Sequence, residues 1–237
     1  MEINISTIAI SLGFLVQSMI GFAAAYIALP ILLFVVDIRE ANILISFFYF
    51  AFSLFLVPKN WRDVDRQIFK QMFVSLIFGT VLGVYLLKVG NPIYLKKILG
   101  VFLITYVAYS YFSKNKKIEA ISRLGHVLGF GGGVVSGLFS SGGALIIPYI
   151  NNQLTNPRNI RATIIGVMGV INFARVPLFF YNKLMSYDIF MNALIIFPFF
   201  LLSLFLGQKI FDKVNAKTFK NILLFLLMIS GILLIVR

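Results

Sequence analysis

The chain has 237 residues, of which 60% are hydrophobic and 12% are charged. Soluble domains are nearer half apolar and a quarter charged, so this composition excludes an ordinary soluble domain and indicates an all-α integral membrane protein. The net charge of +13 is spread between apolar runs, where Lys and Arg orient a multi-pass protein in the cell membrane. We therefore expect the lipid bilayer and a small anionic substrate as partners, and no nucleic acid.

With no cysteine and one histidine, His126, neither a metal site nor a cofactor is expected.

Eight apolar segments follow one another along the chain, separated by short polar stretches. Their lengths run from 17 to 34 residues, and a membrane helix needs about 20. Trp61 and several tyrosines lie at segment ends, as interfacial anchors do. The segments cover 3–36, 41–57, 68–87, 92–112, 124–150, 160–182, 188–208 and 217–236.

Segments 3–36 and 124–150 are too long for one crossing. As single helices they would extend about 51 and 40 Å, against a hydrocarbon core of about 30 Å. Each contains a glycine followed by a proline, namely Gly21 and Pro30 in the first and Gly142–Gly143 and Pro148 in the second. Irregular backbone is tolerated at membrane depth only where protein or a wet cavity surrounds it. Each segment is therefore either a re-entrant hairpin or one long broken helix.

The two halves of the chain resemble each other, as the halves of many transporters do. The residues Gly13, Ser18 and Pro30 recur at a constant spacing of 118 as Gly131, Ser136 and Pro148. The alternative is chance similarity between apolar helices. The predicted organisation is a first repeat at 1–112, a basic cytoplasmic linker at 113–123 and a second repeat at 124–237.

The distribution of Lys and Arg among the loops favours hairpins. If each long segment crosses once, the two sides of the membrane carry 10 and 10 cations; if each is a hairpin, they carry 14 and 6. Only the second arrangement obeys the positive-inside rule. It makes the two repeats inverted relative to each other, each opening with a broken or re-entrant hairpin. It also places the loops at 58–70 and 151–161 on the same, cytoplasmic side.

The breaks suggest an anion site, because a half-helix that starts after a break presents free N–H groups and the positive end of its dipole. Two such breaks would hold a substrate between the hairpins, near the membrane midplane. The alternatives are that the glycines only permit close helix packing and that Gln17 and Ser18 pair only with backbone. The predicted substrate-binding residues at the breaks are Gln17, Ser18, Gly21, Ser136, Ser140, Ser141, Gly142 and Gly143.

Arg175 is the charged residue most deeply placed within an apolar segment, about halfway between Ile160 and the polar pair Asn182–Lys183. A charge at this depth is costly and indicates function. The planar guanidinium suits carboxylate, sulfonate or sulfite, because it can bind two oxygens at once. Asn172 lies one turn earlier on the same face and joins Arg175 as a predicted substrate-binding residue. The alternative is that Arg175 extends to the interface.

The stretch Gly129–Pro148, GFGGGVVSGLFSSGGALIIP, and the weaker LGFLVQSMIGFAAAYIALP of Leu12–Pro30 resemble the sulfite exporter TauE/SafE family of membrane permeases. The resemblance covers nearly the whole chain. It implies transport of small sulfur-containing anions, such as sulfite, sulfoacetate or related organosulfonates.

The leading interpretation is a secondary transporter of small anions, and not an enzyme. No phosphate-binding loop of the G-x-x-x-x-G-K-[ST] type is present, and no buried His, Cys or acid cluster is expected. All acids fall in termini or loops, so a coupling proton or cation would rely on hydroxyls and carbonyls. A passive anion channel, a carrier of another organic anion such as a carboxylate, and a homo-oligomer remain open alternatives.

Overall fold

The structure is a computed structural model that describes residues 2–20, 23–112, 124–210 and 216–236. The predicted linker at 113–123 and the predicted site residue Gly21 lie outside the described residues. Ten α-helices and one short 3-10 helix, Trp61–Asp63, account for most of the described chain. The α-helices are α1 (Glu2–Ile20), α2 (Ala24–Leu32), α3 (Ile38–Asn60), α4 (Arg66–Val89), α5 (Pro92–Phe112), α6 (Gly125–Phe139), α7 (Gly143–Gln153), α8 (Pro157–Tyr181), α9 (Tyr187–Ile210) and α10 (Ala216–Val236).

Five of these helices, α3, α4, α5, α8 and α9, are long and apolar enough to cross a membrane. Helices α1, α6 and α10 contain shorter apolar stretches. The all-α membrane architecture predicted from composition is therefore confirmed. Each predicted apolar segment corresponds to one helix, except that the two long segments are each divided into two.

Both long segments fold back on themselves as antiparallel hairpins. In the first, the Ala24 N–H donates to Gln17 Oε1 at 3.0 Å, and a Cβ added to Gly13 would lie 3.0 Å from the Ala28 Cβ. Moving back along α1 from Gln17 to Gly13 thus corresponds to moving forward along α2 from Ala24 to Ala28, which makes the two helices antiparallel. The chain turns through Ala23 with φ 99° in the first hairpin and through Ser140 with φ 57° in the second. These residues adopt the left-handed conformation, which lets the second half-helix reverse direction.

The helices assemble into two compact units, and each unit draws on both halves of the chain. The first unit comprises Met1–Ala41, Gly90–Lys116 and Met191–Arg237, and the second comprises Asn42–Val89 and Lys117–Phe190. The first unit therefore contains the first hairpin with α5, α10 and most of α9. The second contains the second hairpin with α4, α8 and most of α3. The predicted repeats divide the sequence into two halves and do not coincide with these two units. The inverted relation of the repeats stays a prediction.

Within the first unit, aromatic contacts and small residues hold the helices together. Phe14 of α1 packs edge-on against Phe200 of α9 with ring centroids 4.9 Å apart. Tyr26 of α2 stacks on Tyr106 of α5 at 5.2 Å. Close packing of α5 and α10 is possible because Gly100 faces the Gly231 carbonyl, where an added Cβ would lie 2.7 Å from the oxygen.

Within the second unit, α4 and α6 run parallel and in close contact along a row of small residues. A Cβ added to Gly129 would lie 2.5 Å from Ser75 Oγ, and one added to Gly137 would lie 2.7 Å from the Gly83 Cα. The contacts advance together along both helices, which defines the parallel direction. Small residues at such spacing let membrane helices approach closely. Close packing, the alternative use of the glycines, is therefore the observed role of part of the glycine-rich stretch.

Polar contacts identify which loops share an end of the second unit. Arg158 Nε lies 2.9 Å from Asp63 Oδ2, and the Asp65 N–H donates to Thr163 Oγ1 at 2.9 Å. The loops at 58–70 and 151–161 therefore lie at the same end of the second unit. The hairpin arrangement requires this, whereas a single crossing by 124–150 would put the two loops at opposite ends. Lys88 donates to Asn182 Oδ1 at 3.3 Å at the other ends of α4 and α8.

Candidate functional site

Arg175 is buried in the second unit, with 1% of its surface exposed. It lies about 27 Å along α8 from Pro157 and about 9 Å from Tyr181, so it is nearer the C-terminal end of the helix than the halfway position expected from sequence. Its guanidinium carbon lies 5.7 Å from the centre of the Phe179 ring, one turn further along. Such burial does not fit the alternative in which Arg175 extends to the interface.

One guanidinium nitrogen, Nη2, carries the hydrogen bonds that Arg175 makes. It donates to Asn42 Oδ1 at 2.9 Å and is 3.4 Å from the Asn42 carbonyl oxygen. It also donates to the hydroxyls of Ser46 and Ser140. All of these acceptors are neutral and buried. They come from α3 and from the turn of the second hairpin. These two segments and α8, which carries Arg175, therefore meet at the cation.

Asn42 links the arginine to the break between α6 and α7. Its Nδ2 donates to the carbonyls of Gly137 at 2.9 Å and Leu138 at 3.1 Å. The last carbonyls of a helix have no partner within that helix, so Asn42 satisfies groups that the break leaves open. Its Oδ1 accepts from Ser140 as well as from Arg175. This set of partners fixes the orientation of the amide, because only one orientation gives every contact a donor and an acceptor.

Side chains within the second hairpin satisfy most of the groups at its turn. The Gly142 N–H donates to Ser136 Oγ at 3.1 Å, and the Ser141 hydroxyl donates to the Phe139 carbonyl at 2.8 Å. Gly142 also passes so close to Ser136 and to the Gly132 carbonyl that a Cβ would clash with both. Gly143 begins α7. The Gly142 N–H is therefore already paired, and of these residues Ser140 is the one that contacts Arg175.

Asn172 does not join the hydrogen bonds around Arg175. Its Nδ2 donates to Ser53 Oγ at 2.8 Å, in a buried contact between α8 and α3. Asn42, Ser46 and Ser53 follow at helical spacing on one face of α3, and sequence reasoning missed all three. The signal was available, because these polar residues share one face of an otherwise apolar helix.

The residues predicted at the first break lie in the first unit. The Gln17 side chain accepts from the Ala24 N–H at 3.0 Å, and the Ser18 hydroxyl donates to the Leu15 carbonyl at 2.8 Å. Both side chains therefore make the backbone pairings considered as the alternative to substrate binding. A substrate held between the two hairpins would involve both units, and that arrangement stays a prediction.

Arg175 has no carboxylate partner among the described residues. The salt bridge between Arg158 and Asp63 involves an exposed arginine. The Nε atom of Arg175 is buried and has no hydrogen-bond partner there. Buried charges in proteins are normally paired, because the effective penalty for removing an ion from water is several kcal/mol. Among the described residues Arg175 is thus a buried cation without a carboxylate partner, and its buried Nε donor is unpaired.

Two helical hairpins and a buried arginine among hydroxyl and amide groups are typical of helical membrane transport proteins. The profile of the sulfite exporter TauE/SafE family matches residues 6–234, and the chain belongs to this family. Comparison with curated proteins and with solved structures gave no match. The family implies a multi-pass membrane exporter of sulfite or other sulfur compounds, which is consistent with a protein that is not an enzyme.

Proposed function

We propose that this protein is a secondary carrier that binds a sulfur oxyanion, sulfite or a small organosulfonate, at Arg175 during transport. The observation that supports the proposal is the buried guanidinium without a carboxylate partner in the described part of the chain. The Asn and Ser acceptors around Nη2 hold the group in place but contribute no negative charge. A bound anion would supply that charge and lower the free energy of the buried cation.

The free Nε indicates where the anion would bind. Nε and one Nη lie on the same edge of a guanidinium, and this edge forms two parallel hydrogen bonds to an oxyanion. Nη2 has two hydrogens but faces oxygens of Asn42, Ser46 and Ser140. An anion oxygen can replace one of these neutral acceptors with little loss of hydrogen bonding, because the displaced hydroxyl can rotate to another partner.

The number of oxygens favours sulfite and sulfonate over a carboxylate. Each of these groups has three oxygens, so that two can bind the guanidinium edge while the third accepts from a hydroxyl of Ser46 or Ser140. Those hydroxyls now donate to Asn42. A carboxylate has two oxygens, so a hydroxyl that binds it must share an oxygen with the guanidinium. A carboxylate carrier is therefore the second candidate within this class.

Uptake into proteoliposomes tests the proposal. Radiolabelled sulfite, sulfoacetate and acetate would be offered to the wild type, to Arg175→Gln and to Arg175→Lys. The matched control is Arg161→Gln, which removes an exposed arginine from the same helix. We expect saturable uptake of sulfite or sulfoacetate that falls about 10- to 100-fold in Arg175→Gln, because hydrogen bonds to charged groups contribute about 1.5–3 kcal/mol. Arg175→Lys should recover part of the uptake, since the positive charge remains but the planar edge with two parallel donors is lost.

Three results would contradict parts of the proposal. Full uptake in Arg175→Gln would show that Arg175 does not bind the transported anion, while the assignment as a carrier would stand. Preference for acetate over both sulfur anions would favour the carboxylate carrier. Flux that rises linearly with concentration and is accompanied by conductance would favour the passive anion channel.

A further inference from the structure

An apolar groove of about 640 Å³ opens on the second unit, and Arg175 is not among its lining residues. This volume is within the range of small-ligand pockets, about 300–1,000 Å³. Aromatic rings form one wall: Trp61 meets Phe69 edge-on at 5.2 Å, and Phe69 lies 5.7 Å from Phe73. Trp61 and Phe73 are exposed, at 43% and 39%. The other lining residues include Val57, Ile77, Gly169, Val170 and Phe173.

Two cations continue the helix face that lines the groove. Along α4, the residues Arg66, Lys70, Phe73 and Ile77 follow at spacings of four, three and four, so they share one face of the helix. Phe73 and Ile77 line the groove, and the same face therefore continues into two exposed cations at the start of α4. This is the end of the unit that carries the loops at 58–70 and 151–161.

The acids at this end are engaged elsewhere. Asp63 pairs with Arg158 at 2.9 Å. Asp65 Oδ1 accepts from the N–H groups of Gln67 at 3.0 Å and Ile68 at 2.9 Å, which caps the start of α4. Neither Arg66 nor Lys70 forms a salt bridge with a described residue. The cations beside the groove thus lack a counter-charge in the described part of the chain.

We infer that this groove binds one acyl chain of an anionic phospholipid, whose phosphate lies against Arg66 and Lys70. An apolar groove that ends in cations at the membrane interface is complementary to a lipid with a negative headgroup, since basic residues attract anionic lipid at the membrane surface. Trp61 at the rim has the amphipathic ring that favours this depth. The site is separate from Arg175 and does not depend on the proposed function.

The chain offers a built-in reporter, because Trp61 is its single tryptophan and lines the groove. The wild-type protein would be reconstituted in phosphatidylcholine bilayers containing a fraction of lipid with brominated acyl chains, which quench tryptophan fluorescence on contact. Brominated phosphatidylglycerol and brominated phosphatidylcholine would be compared at equal fractions. We expect phosphatidylglycerol to quench Trp61 at about 5- to 25-fold lower lipid fractions, because each cation that contacts the headgroup gives about a fivefold preference.

Two variants separate the headgroup contact from the groove. Arg66→Gln with Lys70→Gln should abolish the preference and leave quenching by phosphatidylcholine, whereas Lys88→Gln at the opposite end should change neither. Val170→Phe, which fills the groove, should reduce quenching by both lipids. Equal quenching of the wild type by the two lipids would overturn the proposal, as would a preference that survives loss of both cations. Quenching by neither lipid would also overturn it and indicate that another protein surface, such as a second copy of this chain, covers the groove.

Discussion

Asn42 connects the buried arginine to the broken helix, and each side of its amide has a separate task. The Nδ2 group satisfies two carbonyls at the end of α6, while Oδ1 accepts from Arg175 and Ser140. The same residue therefore stabilises the break and positions the cation. Arg175 was predictable from sequence because a charge in an apolar segment is rare. The polar face of α3 that carries Asn42 was visible in the sequence, but the role of Asn42 was not, since that role depends on which helix face opposes the break.

Ser140 offers a test of the missing counter-charge at the residue scale. Its φ of 57° is a conformation that Asn and Asp tolerate, so Ser140→Asp and Ser140→Asn have nearly the same shape and differ in charge. We expect Ser140→Asp to place a carboxylate on Arg175 and to abolish saturable sulfite uptake. Ser140→Asn should retain a measurable fraction. Proteoliposome uptake at increasing sulfite concentration measures both.

The comparison has a clear negative result. If the two variants transport equally, a negative charge beside Arg175 does not compete with the substrate, and Arg175 does not bind the transported anion. If Ser140→Asn alone fails, the contact of the Ser140 hydroxyl with Asn42 matters more than the charge.

At the scale of elements, the glycine-rich stretch has two separate uses. Gly129, Gly133 and Gly137 face α4, where small residues permit close parallel packing. Gly142 permits the turn of the hairpin. The spacing of four was visible in the sequence and predicts a packing face, but its partner was not. Only the fold shows that α4 presents matching small residues, including Gly79 and Gly83.

Gly133→Ala should destabilise the second unit. Its added Cβ would lie 2.5 Å from the Leu76 carbonyl oxygen and 2.9 Å from the Thr80 nitrogen, and backbone of a packed helix cannot move away easily. We expect a loss of about 1–3 kcal/mol, as for other overpacked positions. The measurement is the apparent melting temperature of the purified protein in detergent.

Gly131→Ala is the matched control on the same helix. Its Cβ would approach the end of the Leu145 side chain at 3.2 Å, which can shift, and alanine favours the helix over glycine. The melting temperature should stay the same or rise. Equal losses in both variants would mean that α6 tolerates no added methyl group, and the packing against α4 would then not be the cause.

At the scale of the whole molecule, the chain contains no cysteine, so single cysteines can report which side of the membrane each loop faces. Gln67, in the first turn of α4, and Thr155, between α7 and α8, lie at the same end of the second unit, and Tyr187 follows the other end of α8; all three positions are exposed and can be changed to Cys. We expect an impermeant maleimide to label the first two from one side of oriented vesicles and the third from the opposite side. The positive-inside rule predicts that the first two face the cytoplasm.

Labelling of Gln67→Cys and Thr155→Cys from opposite sides would contradict the hairpin at 124–150. Labelling of both from the outside would keep the hairpin and overturn the predicted orientation. Full uptake activity of each variant is the control that the fold is intact.

The sequence by itself determined the membrane class, the eight apolar segments, the two breaks and Arg175, because these depend on composition and on the length of a membrane crossing. Charge counting favoured hairpins, since loop charges reflect topology. Only the tertiary structure decided that both halves contribute to each compact unit, and that Asn42, Ser46 and Ser140 surround Arg175. Those relations join residues far apart in the chain, and they depend on which apolar faces meet, a choice that hydropathy does not encode.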